Sequence, residues 1–373
     1  MNLIVLKNNL KEGLSIISGT HKENSNLPVL KNFLLEAFED KLKISSTDLE
    51  IGVSYIISAK IIQDGSVTIP YSVFSQIISN LTSERINLET KGSSILITTD
   101  NYKAKISTTP KDDYPIIPEI KENKKSFFQI DTVYFIESIS SVFSACQVSD
   151  IRPELGGIFF VYKGESINLA ATDSFRLAEK TIPSKKFEAD LKNEASYIIP
   201  FRTVQELIKI FSSKTDGKMK IYFENNQVFF EENQILFVSR LIEGKFPDYE
   251  LVIPKNFNTE VIIDKNDLSG ALKLAGSLSN RLNEVKFVTD ESLKNITILS
   301  SSQEFGESEY ILPAKIKGES ARVTFNWKFV LDGLKNIKQN NVFFGFNGEE
   351  KPSLIKSPDD PSYLYIVMPI KSS

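Results

Sequence analysis

Along the 373 residues, short apolar strands repeatedly run into stretches whose apolar positions recur at helical spacing. Three such junctions read VTIPYSVFSQIISNL (67–81), YIIPFRTVQELIKIF (197–211) and VTFNWKFVLDGLKNI (323–337). In the first, Val73, Phe74, Ile77, Ile78 and Leu81 form the helical stripe; in the second, Val204, Leu207, Ile208 and Phe211 do. Pro70 and Pro200 are expected in the first helical turn, where a missing N–H costs nothing. Superposing Pro70, Pro200 and Asn326 gives separations of 130 and 126 residues.

A second set of junctions precedes these: LIVLKNNLKEGLSIIS (3–18), FFQIDTVYFIESISSVFS (127–144) and EVIIDKNDLSGALKLAGSLS (260–279). The pattern predicts helices over 7–18, 71–82, 131–145, 201–214, 264–281 and 327–338. Alternating, turn-punctuated strands lie between them, as at 34–45, 157–170 and 294–301, and hairpin-like runs follow, as at 218–241. The exits also match, with DDYPIIPEI (112–120), GKFPDYELVIP (244–254) and YIVMPIKSS at the end of the chain. The charged stretches 119–126 and 254–260 read as linkers, which sets domains at 1–122, 123–254 and 255–373. The fold class is α+β: three tandem copies of one domain, each with two helices and mostly antiparallel strands.

Composition narrows the chemistry. With Cys146 and His21 as the sole members of their types, an internal disulfide, a Cys/His zinc site and a tuned Ser/His/Asp triad are all disfavoured. There is also no Walker A sequence, no GxGxxG after a strand, no HExxH and no nucleophile elbow, so no enzyme, cofactor or metal is expected. The apolar start before Lys7 is too short for a signal peptide, and runs such as 158–162 cannot span a bilayer; a cytoplasmic protein without membrane contact is expected.

Lys and Arg number 44 against 48 Asp and Glu, a net charge of -4 that is silent about nucleic acid. Its distribution is not uniform. The six predicted helices carry +1, 0, -2, +2, +1 and +2, a total of +4, leaving -8 elsewhere. Arg202 and Lys209 lie seven apart on one helix face, as do Lys328 and Lys335 on another. Taken alone, such lysines are also what a solvated helix back carries.

The segments NLPVLKN (26–32), STDLEIG (46–52), RPELGGIFF (152–160), ATDSFRLAEK (171–180), GKFPDYELVIP (244–254) and YIVMPI (365–370) closely resemble the bacterial replicative sliding clamp, the beta subunit of DNA polymerase III. The resemblance runs in one register from residue 1 to the C-terminus. It implies the DNA clamp fold and a head-to-tail homodimer that closes six similar domains into a ring. The function it implies is that of a DNA polymerase processivity factor, which encircles duplex DNA without reading its sequence and tethers the polymerase. Implied partners are the DNA polymerase III alpha subunit, the clamp loader, and other DNA polymerases and repair proteins that dock through short linear motifs. A rival reading is a repeat-built interaction scaffold that never encircles DNA; it would use the same sheets and cleft but need no basic inner face.

On this resemblance Arg202, Lys209, Lys273, Arg281, Lys328 and Lys335 face DNA, with Arg152 as a further candidate. Peptide docking falls to Leu155, Thr172, Phe175, Arg176, Leu177, Pro247, Val252, Ser353, Ile366, Met368 and Pro369; Met368 suits varied partners because its side chain is flexible and polarizable. Dimer contacts fall on the edge strand around Ala104 and Ile106 and on the end of the fifth helix, Ser277, Leu278 and Leu282. Thr47-Asp48 occupies the place of Thr172-Asp173 in the first repeat, so Asp173 is expected to be a recurring turn residue bonding backbone N–H groups. Arg176 and Leu177 have no such counterpart. The family usually has Gly-His where this chain has Ser174-Phe175, and a basic residue at Leu251, which implies a more apolar pocket.

Overall fold

The computed structural model describes residues 1–21, 27–120, 126–148, 151–191, 193–213, 215–224, 226–290, 292 and 294–371. The linker expected at 119–126 falls largely outside the described residues, as does Lys214 at the end of the fourth predicted helix.

Each junction is a strand that turns directly into a helix. Strand Asn2–Leu6 leads into α1 (Lys7–Ile17), Gly65–Pro70 into α2 (Tyr71–Asn80), and Phe128–Asp131 into α3 (Thr132–Phe143). Ala195–Pro200 leads into α4 (Phe201–Phe211), Thr259–Asp264 into α5 (Lys265–Ser277), and Arg322–Asn326 into α6 (Trp327–Lys335). Pro70 and Pro200 are the last strand residues rather than members of the first helical turn. Pro70 has φ -56 and ψ 118, so its fixed φ suits the helix start while its extended ψ still belongs to the strand. At the equivalent place in α6 the side chain of Asn326 accepts a hydrogen bond from the Lys328 N–H, and before α5 Asp264 caps the N–H groups of Asn266 and Asp267.

Five helices end two or more residues earlier than periodicity predicts. After α5, Leu278 leaves the helical region and the Asn280 side chain accepts from the N–H groups of Leu282 and Glu284, which stops propagation. Arg281 therefore stands in the turn beyond α5. Inside the observed helix bounds the charges are +1, 0, -1, +1, +1 and +1, a total of +3 rather than +4.

The described residues form two compact units, 1–134 with 187–191 and 205–241, and 135–186 with 192–204 and 242–373. The first unit holds a five-stranded sheet, ordered Lys60–Gln63, Asn2–Leu6, Arg85–Thr90, Ser94–Thr98, Lys103–Ser107, and a nine-stranded sheet from Phe187–Ala189 to Gly65–Pro70. The second holds another nine-stranded sheet, from Ala195–Pro200 to Lys315–Gly318, and a four-stranded one, ordered Gly306–Pro313, Asn295–Ser302, Glu284–Thr289, Arg322–Asn326. The pairing that joins repeats is antiparallel: Val238 opposes Gly52 in the first unit, and Ala178 opposes Tyr365 in the second. Strands of the middle repeat are thus shared between the two units.

Helix faces turned to the sheets supply the cores. Leu10, Leu14 and Ile17 of α1, Leu268 and Leu272 of α5, and Val330 and Leu334 of α6 are buried, each contributing roughly 1.5–3 kcal/mol of burial. Gly333 of α6 lies so close to the Tyr365 ring that a Cβ would meet it at 2.5 Å, which brings this helix tight onto the strand Tyr363–Val367.

Candidate functional site

In the second unit, strand register assembles a patch from distant segments. Leu354 opposes Ile366, Ile366 opposes Leu177, and Leu177 opposes Thr172, so one row crosses four strands. The next row runs Ser353, Val367, Arg176. Paired side chains project to the same face, and Leu177, Leu354 and Ile366 join Leu155, Ala170, Ile198, Phe246 and Tyr249 in one apolar cluster. Leu155 arrives from the short 3-10 turn Pro153–Leu155, and the Phe246 ring stacks on Phe159 with centroids 4.7 Å apart. The Tyr249 hydroxyl donates to Glu179 Oε2 at 2.6 Å; burial, reinforced by that carboxylate, pushes its pKa up.

The residues expected to dock peptide divide by exposure. Leu155, Leu177, Ser353 and Ile366 are buried, so they form a floor. Thr172, Pro247, Met368 and Pro369 are half-buried, while Phe175 is 63% exposed, Val252 50% and Leu251 82%. Met368 is held by its backbone, whose N–H donates to the Phe175 carbonyl at 2.8 Å, and the chain then runs on to Ile370, whose N–H donates to Thr324 O.

Phe175 rides on a turn that the sequence builds twice. Asp173 Oδ1 accepts from the N–H groups of Phe175 and Arg176, both at 2.9 Å, while Thr172 Oγ1 accepts from Ser174 N–H and donates to Arg176 O. In the first repeat Asp48 Oδ1 accepts from Glu50 and Ile51, and Thr47 Oγ1 accepts from Leu49 N–H and donates to Ile51 O. Ser174 (φ 75) and Leu49 (φ 76) share the left-handed conformation this turn demands. The expectation of a recurring Asp turn is met.

Arg176 is committed within the chain. Its Nε donates to Asp173 Oδ2 at 2.9 Å, its Nη1 to Asp332 Oδ2 at 2.7 Å, and its guanidinium sits 4.2 Å from the centroid of Phe329. Sequence reasoning missed Asp332 and Phe329. The available signal was a helix face of α6 carrying a carboxylate three residues before Lys335.

Among the residues expected to face DNA, Lys273, Lys328 and Lys335 are exposed on α5 and α6, and Lys209 is exposed on α4, where it reaches Ser18 Oγ at 3.1 Å and Glu206 at 3.6 Å. Arg202 is half-buried at the start of α4. Arg152 lies in the loop before the strand Gly157–Tyr162, where it pairs with Glu154 at 3.1 Å and reaches Ser174 Oγ at 3.4 Å, beside the Phe175 turn. Arg281, past the end of α5, is exposed in its turn.

Of the dimer candidates, Ala104 and Ile106 lie on Lys103–Ser107, an edge strand of the five-stranded sheet. Ile106 is 8% exposed, so its side chain serves its own core and the strand offers chiefly its open backbone edge. Ser277 is exposed, Leu278 half-buried and Leu282 63% exposed. The four-stranded sheet also ends in an edge strand, Gly306–Pro313, where Tyr310 is 40% and Ile311 59% exposed; the apolar pair inside GESEYILP is the sequence feature that marks it.

Among the described residues no cluster of His, Cys, Asp and Glu could hold a metal ion, and no helix is long and apolar enough to cross a membrane.

Three family models match the chain in succession: the N-terminal domain of the DNA polymerase III beta subunit over residues 1–118, the central domain over 129–248 and the C-terminal domain over 250–371. The beta sliding clamp of Staphylococcus epidermidis is 29% identical over 377 residues, covering 98% of this chain and 97% of that protein. That of Synechocystis sp. is 28% identical over 390 residues, covering 100% and 99%. The crystal structure of the Bacillus subtilis DNA polymerase sliding clamp superposes with a TM-score of 0.94 at 26% identity. The DNA polymerase III beta subunit of Thermotoga maritima superposes at 0.90 and 27% identity, and both structures match over 100% of each chain. Tandem two-helix, antiparallel-sheet repeats of this kind define a DNA clamp, a non-catalytic polymerase accessory. The chain belongs to the DNA polymerase III beta subunit family, the bacterial beta sliding clamps, and its function is that of a DNA polymerase processivity clamp.

Proposed function

We propose that two copies of this chain, each of three domains at 1–122, 123–254 and 255–373, close head to tail into a ring around duplex DNA in the cytoplasm. The observation that carries the ring is the exposed apolar edge Gly306–Pro313, with Tyr310 and Ile311 open to solvent, which a lone subunit leaves uncovered. Its counterpart is the open edge of Lys103–Ser107 on the other subunit, with Ser277, Leu278 and Leu282 flanking the contact. A two-fold rotation makes both contacts identical and leaves neither edge free.

Lys209, Lys273, Lys328 and Lys335, with Arg202 and Arg281, face the DNA and attract phosphates without reading bases, so the ring slides. Arg152 belongs with the docking surface, as its contact with Ser174 supports. The floor of Leu155, Leu177 and Ile366, backed by Ser353 and bordered by Thr172, Phe175, Arg176, Pro247, Val252, Met368 and Pro369, takes an apolar residue of a short linear peptide. Those peptides come from the DNA polymerase III alpha subunit, the clamp loader, and other polymerases and repair proteins. Phe175 and Leu251 make the rim apolar and tune which peptide is preferred.

The test is retention. Protein loaded on nicked circular DNA by its clamp loader should survive a high-salt wash and leave once the circle is cut. Equal retention on linear and circular DNA, with a steep salt dependence, would refute encirclement, since that is ordinary phosphate binding.

A further inference from the structure

The carboxylate of Asp332 sits between two cations that belong to different surfaces. Its Oδ2 accepts from Arg176 Nη1 at 2.7 Å, and its Oδ1 accepts from Lys335 Nζ at 2.7 Å. Arg176 continues to Asp173, whose other oxygen holds the backbone of the Phe175 turn. The result is a chain of alternating charge, Asp173, Arg176, Asp332, Lys335, that runs from the turn to the outward face of α6. Side-chain exposure rises along it, from 7% at Asp173 and 13% at Arg176 to 23% at Asp332 and 62% at Lys335. The inner links are therefore shielded from salt, while the last is open to a competing anion.

We propose that Asp332 is a positioning residue that couples the peptide-docking turn to the DNA-facing side of α6. It acts through Arg176, which it orients over the Phe329 ring and against Asp173, and so fixes the turn that presents Phe175 and receives the Met368 N–H. It also competes with phosphate for Lys335. When Lys335 turns to DNA, Asp332 is left with Arg176 as its ion-pair partner and grips it harder, so DNA in the ring firms the docking turn. By linkage the reverse holds for binding: a docked partner that needs Arg176 held in place eases Lys335 toward phosphate. This inference rests on the docking and encirclement roles proposed above.

Removing the charge should move the two activities in opposite directions. In Asp332→Asn, the affinity for the cognate DNA polymerase III alpha subunit, measured by surface plasmon resonance, should fall roughly three- to tenfold, since a charge-assisted contact of a partly exposed pair is lost. Binding to a short fluorescein-labelled duplex at low salt, followed by anisotropy, should tighten, because Lys335 is released. Asp332→Glu keeps the charge and should restore alpha binding toward wild type.

The duplex effect must run through Lys335. In a Lys335→Met background, Asp332→Asn should leave duplex binding unchanged, which a general loss of negative charge would not do. Alpha affinity equal to wild type in Asp332→Asn overturns the proposal, as does weakening of both activities, the mark of a merely structural residue. Thermal melting separates these from misfolding, and Asp332→Glu keeps the question open to test if the asparagine variant is unstable. If the wild-type protein itself neither binds the alpha subunit nor is retained on circular DNA, the docking and encirclement reading has failed, which is a different result.

Discussion

Truncating Ile311 to alanine tests ring closure at one residue. Ile311 is 59% exposed in the single chain, so a partner has that share of the side chain left to cover. The substitution removes three carbons, worth about 2.4 kcal/mol at ~0.8 kcal/mol per fully buried CH₂, and the coverable share is ~1.4 kcal/mol per contact. A closed head-to-tail dimer makes the contact twice, so the loss is about 2.8 kcal/mol, or roughly a hundredfold in the dimer dissociation constant. Sedimentation equilibrium over a dilution series reads that constant directly. Intrinsic fluorescence gives a second reading, because the sole tryptophan, Trp327, packs on Gly276 in the last turn of α5, next to Ser277 and Leu278. Ile116→Ala, at a side chain 94% exposed and outside both proposed edge strands, is the control and should change nothing. A dissociation constant for Ile311→Ala within about threefold of wild type, less than ~0.7 kcal/mol, would refute the placement of the interface on this edge.

Three further outcomes follow from the same geometry. Ending the chain at Val367 removes the Met368 N–H donated to Phe175 and the Ile370 N–H donated to Thr324, and should abolish alpha-subunit binding by surface plasmon resonance; unchanged affinity would mean that the cleft lies elsewhere. Replacing Arg202, Lys209, Lys328 and Lys335 together by alanine should lower the salt slope of duplex binding by at most about 3.6, with less expected because Lys209 and Lys335 already pair inside the chain; an unaltered slope would exclude these helix faces as the DNA contact. Cys146 is an acid whose pKa is pushed by burial from the ordinary 9.0 up to about 12, so the unfolded chain loses that proton first. Its contribution to stability is intact below about pH 9 and lost as pH rises toward 12, and the thiol should resist alkylation at neutral pH until the protein is unfolded; fast labelling of the native protein would contradict this.

Some features were legible because a local signal was repeated. Every strand-to-helix junction shows the apolar period changing from two to 3.6 at one point, and all six helices begin within one residue of the expected position. The Thr-Asp turn was legible from its recurrence at Asp48 and Asp173, and both carboxylates bind the backbone as that recurrence implied. Helix ends were less legible, since the end of α5 depends on the Asn280 side chain reaching two backbone N–H groups. The burial of Ile106 in its own sheet was not legible either, because Ala104 and Ile106 alternate with Lys103, Lys105 and Ser107 as the residues of any half-buried strand do.

What the sequence determined by itself is the set of local units: six amphipathic helices, the strands that feed them, and a threefold repeat. Only the tertiary structure decided how strands of the middle repeat divide between two sheets, with Val238 against Gly52 and Ala178 against Tyr365. It alone tied Arg176 to Asp332, which lies 156 residues away, and brought Arg152 from its loop to the Phe175 turn. Periodicity records which side of an element is apolar, over a few turns of chain. Which edge meets which, and which cation a carboxylate holds, depends on where distant backbones come to rest, and that information is not carried in any local pattern.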